Sequence, residues 1–119
     1  MINAKVINTK LTDVNFKFHV DNKENITLEI KTESTIMPPK DNNDNTAMYV
    51  IKGDIHTPNS DEISIQAVAN IILEFDQIPK DYNELGNGIC LTLAQKELFN
   101  KIDEIVEIMG YPKFNINVE

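Results

Sequence analysis

A stripe of large apolar residues near the carboxy terminus does most to limit the folds open to this chain. Leu98, Phe99, Ile102, Ile105, Val106 and Met109 recur at helical spacing, while Lys96, Glu97, Lys101, Asp103, Glu104 and Glu107 fall on other faces. Thr92 followed by Gln95 matches a capping box and puts the helix start near residue 93. Gly110 supplies a left-handed stop, and Pro112 prevents continuation. A one-sided helix needs a surface to cover. Ile63, Ile65, Ala67, Ala69, Ile71, Leu73 and Phe75 provide one by alternating with more polar neighbours along a single strand between Glu62 and Gln77. About thirteen residues at ~3.3 Å each reach roughly 43 Å, more than so small a domain needs. Strands of that length often extend past their own core to meet another subunit.

The upstream segments supply the rest of the sheet. Val14, Phe16, Phe18 and Val20 alternate with Asn15, Lys17 and His19, turn residues follow from Asp21 to Asn25, and Ile26, Leu28 and Ile30 resume the alternation. This reads as a hairpin. Ile2 to Leu11 extends its first strand, with an interruption near Thr9 to Thr12. The run from Pro38 to Asn45 lacks periodicity and apolar residues and is expected to be an exposed, mobile loop. Met48 to Ile55 is strand-like, with Gly53 marking a bulge. Pro79 closes the long strand, Lys80 to Leu91 is an irregular connection, and Phe114, Ile116 and Val118 alternate as a terminal strand. The fold class is α+β: a mostly antiparallel sheet with the carboxy-terminal helix packed on one face, in a single domain over residues 1–119.

Composition narrows the function. An apolar fraction of 41% with 25% charged residues belongs to a globular chain rather than a disordered one. No window is apolar for long enough to insert in a membrane, and Met1 to Lys5 shows no signal pattern, so the expected location is cytoplasmic. One cysteine, Cys90, fits a reducing compartment. The net charge of −8, without any basic stripe, argues against nucleic acid and favours a protein partner. All eleven basic residues are lysine, a bias that suggests an AT-rich genome.

Catalytic chemistry finds little support. His19 and His56 form no metal-ligand spacing with each other or with Cys90, and Asp61-Glu62 and Asp103-Glu104 read as solvated charges on a turn and on a polar helix face. A Cys90–histidine nucleophile pair would depend on spatial proximity. Gly86-Asn87-Gly88 lacks the remainder of a phosphate-binding loop and reads as a turn. No catalytic residue, cofactor or metal is therefore expected. Ile36, Met37, Ile78, Tyr82, Leu85 and Ile89 instead flank irregular regions, where they either seal the ends of the core or line an apolar groove for a client polypeptide.

Strands, a long strand, an irregular connection, a helix and a Gly-x-Pro turn follow in an order that resembles the SecB-type export chaperones and their smaller SecB-like relatives. Cys90 through Val118 carries the resemblance best. Leu98-Phe99 lies shortly after a cysteine, and Met109-Gly110-Tyr111-Pro112-Lys113-Phe114-Asn115-Ile116 looks like the family's Gly-aromatic-Pro-x-Leu-x-Leu ending. Ile7 to Phe18 looks like the family's first strand with its mid-strand break. The chain departs from the family at Asn100-Lys101-Ile102-Asp103, where the family has Pro-Tyr-Ala-Arg, and in the shorter link at Asp21 to Asn25. The resemblance implies a four-stranded antiparallel sheet with a helix on one face, assembly as a homodimer or homotetramer, and a non-enzymatic chaperone that holds apolar segments of a client. A single client such as an antitoxin fits the departures. The alternative is an acidic interaction or inhibitor protein of phage or mobile-element origin that binds one folded host protein. Extended clients could also add hydrogen bonds along a free sheet edge.

Overall fold

The computed structural model describes residues 2–19, 27–41, 43–58 and 62–116. Its order of elements is β1 (Ala4–Phe18), β2 (Glu29–Met37), β3 (Thr46–His56), β4 (Ile63–Phe75), α1 (Tyr82–Gly86) and α2 (Ile89–Ile108). The four strands form one antiparallel sheet in the order β1-β4-β3-β2. α2 covers one face. The molecule is elongated, 53 × 21 × 18 Å, because β1 and β4 run its length.

The alternation of β4 becomes the core directly. Ile63, Ile65, Ala67, Ala69, Ile71, Leu73 and Phe75 are all buried, and they pair across β3 with Ile55, Gly53, Ile51, Tyr49 and Ala47 on the same face. Cys90, Ala94, Leu98, Phe99, Ile102 and Val106 of α2 close over them. Ile105 is only half-buried, and Met109, at the end of the expected stripe, is exposed. Even-numbered residues of β3 and β4 face the other way, where Lys52, Asp54, His56, Gln66 and Asn70 make a largely polar open face.

The structure departs from the sequence reading in several places. β1 and β2 are not a hairpin: they occupy opposite edges of the sheet, with β4 and β3 between them. Alternation reports which face a strand buries but not which neighbour it takes. Turn residues 21–25 lie outside the described residues. The interruption expected near Thr9 to Thr12 corresponds to a register shift between Leu11 and Asp13, and a second shift, between Val6 and Asn8, lies ahead of it. Gly53, by contrast, sits in unbroken register on both sides. A glycine is needed there because a Cβ would lie 2.7 Å from Leu98 Cδ2, so Gly53 lets the helix approach the sheet.

α2 begins at Ile89, a turn earlier than the capping box implied, with Gly88 as N-cap. Thr92 lies inside the helix, and the Gln95 amide reaches across to donate to Thr32 Oγ1 of β2 at 3.3 Å. The helix end follows the sequence closely. Gly110 adopts φ 97°, its N–H donates to Glu107 O, and Tyr111 N–H donates to Val106 O, which together form a Schellman motif. The described part of the terminal segment, 111–116, is not a strand and does not join the sheet. Asn115 adopts φ 55°, which takes it out of extended backbone, while Phe114 and Ile116 both pack against the core. Tyr111 stacks on Phe18 at 4.6 Å, and Phe114 lies 6.2 Å from the same ring.

Asp103 holds that segment. It is buried, not solvated as its place on a charged helix face had implied, and its carboxylate accepts N–H bonds from Phe114 at 2.8 Å and Asn115 at 3.3 Å. Asp44 and Asn45, at the end of the expected loop, are likewise more tied down than their composition implied. Asp44 Oδ1 accepts from the N–H and hydroxyl of Thr46, and the Asn45 amide donates to Phe75 O.

Candidate functional site

Partly buried apolar side chains gather outside the core where α1 meets β2. The connection after β4 passes the buried Pro79 and forms α1, whose N-cap Asp81 accepts from the N–H groups of Asn83 and Glu84. α1 then packs on β2. A Cβ on Gly86 would lie 3.0 Å from Ile36 Cγ2, so the absent side chain allows this close approach.

Tyr49, which the sequence reading did not single out, fastens the two parts. Its hydroxyl donates to Gly86 O at 2.6 Å and shares a 2.8 Å hydrogen bond with the Ser34 hydroxyl. Burial raises its pKa above the ordinary value, against the lowering effect of the Ser34 bond, so the phenol stays protonated as a donor. The only sequence signal was a tyrosine at an inward strand position, where a polar tip needs a partner. Beside this bond, Ser34, Thr35, Ile36, Tyr49, Asn83, Gly86 and Asn87 line an open hollow of about 270 Å³.

Four of the six expected groove residues are gathered at this corner. Ile36, Tyr82, Leu85 and Ile89 are half-buried and pack against the core. Tyr82 meets Phe75 edge-on at 5.7 Å, and its hydroxyl donates to Asp44 O. Met37 and Ile78 differ from these, with 51% and 47% of their surface exposed. Met37 pairs with Met48 on the open face of the sheet, so it does not line the same surface as Ile36.

The remaining chemistry-bearing residues are kept apart. Cys90 is fully buried in the first turn of α2, where desolvation pushes its thiol up to about 11. His56 belongs to the open face, with Nε2 3.1 Å from Glu29 Oε2 and Nδ1 3.4 Å from Asp54 Oδ1. The sheet lies between that imidazole and the thiol, so these two cannot act as a nucleophile and its base. His19 is exposed, and its backbone N–H donates to Glu62 O. Among the described residues no group of three or more His, Cys, Asp or Glu side chains is gathered to hold a metal ion. Gly86 ends α1 and Gly88 caps α2, with Asn87 between them, so Gly86-Asn87-Gly88 is the joint between two helices.

The four-stranded antiparallel sheet with a carboxy-terminal helix across one face matches the fold of a solved SecB-like chaperone. The chain superimposes on a SecB-like chaperone of Mycobacterium tuberculosis, solved in complex with a ChAD peptide from the HigA1 antitoxin, with a TM-score of 0.71 and 9% identity over 98% of this chain and 87% of that one. At such low identity the likeness establishes the fold. No protein-family model and no curated protein sequence matches the chain. No helix among the described residues is long and apolar enough to cross a membrane.

Proposed function

We propose that this chain is a non-enzymatic, SecB-like polypeptide-binding chaperone that holds extended apolar segments of a client. The observation that carries the reading is the corner where Tyr82, Leu85 and Ile89 are half-buried on the two helices and Ile36 lines an open hollow between β2 and α1, with Ile78 exposed on the connection leading into α1. Apolar contact there would contribute about 25 cal/mol per Å² buried, before the cost of ordering the client is subtracted. The structural neighbour was solved with a peptide from another protein, which lends the reading independent support. A cytoplasmic location, a homodimer or homotetramer, and a single client such as an antitoxin belong to the same proposal.

The test is suppression of aggregation. At near-stoichiometric ratio the protein should keep an unfolded client in solution, with light scattering as the readout. Leu85→Ser should weaken this, while far-ultraviolet circular dichroism verifies that the variant is folded. No protection of any of several unrelated clients would remove the general form of the proposal. Capture of one folded partner, weakened by salt, would replace it with the acidic-inhibitor reading.

A further inference from the structure

The two outer strands of the sheet are unequal as templates for pairing. β1 is interrupted by two register shifts, and Lys5, Lys10 and Lys17 are exposed along it, devices that blunt an edge. β2 pairs with β3 in unbroken register over all nine of its residues, Glu29 to Met37, and among the described residues no strand lies beyond it. Two features along β2 have no complement within one chain. Ile30, on the helix-covered face, is 41% exposed, and the hollow stands open along Ser34, Thr35 and Ile36.

We propose that β2 is the assembly strand of a homodimer: two copies pair antiparallel through it about a twofold axis at Thr32, so that one sheet runs through both. This deepens the homodimer of the preceding reading and rests on that part of it alone. Residues directly opposite each other in an antiparallel pair turn their N–H and C=O groups to the seam together and share a face, so the axis passes between two copies of one residue. Charge then selects which residue. Centring on Glu33 sets its carboxylate against its own copy, and centring on Lys31 does the same with two ammonium groups. Centring on Ser34 sets Glu33 against Thr35 and Lys31 against Met37, which avoids repulsion but gains no attraction. Centring on Thr32 sets Lys31 of each copy against Glu33 of the other and keeps Glu29 to Thr35 paired.

The strand next to β2 extends that match. Within each chain Glu33 already lies opposite Lys52, and Lys31 opposite Asp54, all on the open face. Across the seam Lys52, Glu33, then Lys31 and Asp54 of the second copy form a row of alternating sign, which the twofold axis repeats. Two copies of a chain of net charge −8 repel each other unless they meet where charge is balanced, and these four residues cancel. The helix-covered face is satisfied by the same register. Ile30 of each copy falls opposite Ser34 of the other, at the mouth of its hollow, and Leu28, half-buried just ahead of β2, falls opposite Ile36 where the pairing continues. The exposed isoleucine and the open hollow thus complete each other between two copies.

The experiment uses the full chain, with sedimentation equilibrium over a range of concentrations to measure dimerisation. Lys31→Glu and Glu33→Lys should each weaken the dimer about tenfold, because each sets like charges across the seam. Mixed in equal amounts, the two variants should associate with each other and regain most of that loss, since carboxylate again meets ammonium; the rescue also shows that both are folded. Under mild oxidation Thr32→Cys should link two copies by a disulfide, and Ser34→Cys, whose two copies lie far apart along this seam, should not. Amide exchange should slow at Glu29 to Thr35 as the dimer forms and stay unchanged along β1. A mixture of variants that does not associate, a disulfide through Ser34→Cys in place of Thr32→Cys, or protection at β1 would overturn this seam while leaving a homodimer standing. A chain that is monomeric at every concentration would remove the homodimer and the seam together, and client binding would still be decided by the aggregation assay.

Discussion

At the scale of single residues, small and polar side chains in special places decide how closely the layers meet. Gly53 is one: with its Cβ position 2.7 Å from a buried Leu98 methyl, Gly53→Ala overpacks the seam between β3 and α2. Its expected cost is about 1–3 kcal/mol in urea denaturation. Leu98→Ala alone should cost about 2–5 kcal/mol, and the double variant less than the two together, because the truncated leucine makes room for the new methyl. Cys90 gives a pH prediction. Its thiol ionises at about 11 in the fold but near 9.0 when exposed, so the folded pKa is raised and the unfolded state loses its proton first. The stability contribution is present below pH 9 and declines as pH rises from about 9 to 11, by about 2–3 kcal/mol in total. At pH 8 a disulfide reagent should leave the native thiol unmodified and react at the rate of unfolding, and Cys90→Ala should flatten the alkaline decline.

At the scale of elements, what could be read from the sequence was the face each element buries. The seven inward residues of β4 and the core of the α2 stripe were visible because a period of two and a period of 3.6 leave direct marks on composition. The Gly110 stop was visible because a left-handed residue at a helix end favours glycine. Partners were not visible. Nothing local in β1 or β2 records that they lie at opposite edges, and Gln95 looked like a cap when it reaches Thr32 on a distant strand. Asp103 was misread in the same way: its charge suggested water, while its carboxylate binds two backbone N–H groups eleven and twelve residues ahead. Asp103→Ala should free the terminal segment, costing about 1–3 kcal/mol and speeding exchange at the amides of Phe114 and Asn115 before any part of α2 is affected. The six residues chosen because they flank irregular regions fall on different elements: Ile36 and Met37 on opposite faces of β2, Ile78 on the connection, Tyr82 and Leu85 on α1, and Ile89 at the start of α2.

At the scale of the whole molecule, one layer of four strands carries a single helix, and the open side is guarded by polar side chains with a few apolar ones between them. Met37 pairs with Met48, and Met48 with Ile72, in a row across that side. If the homodimer or homotetramer forms, light scattering should give a mass of two or four times 13.5 kDa, and lysine in place of Ile72 should leave it unchanged unless this row is the interface. The strand order also sets a timetable. Ala4 pairs with Phe75 and Phe18 with Ile63, so β1 leaves the ribosome well before its neighbour exists. At roughly 5–20 residues per second the wait lasts on the order of seconds. Throughout that interval Phe16 and Phe18 have no sheet to rest on, and a nascent protein whose proposed work is to shelter others must itself pass through a stage in which it is in need of shelter.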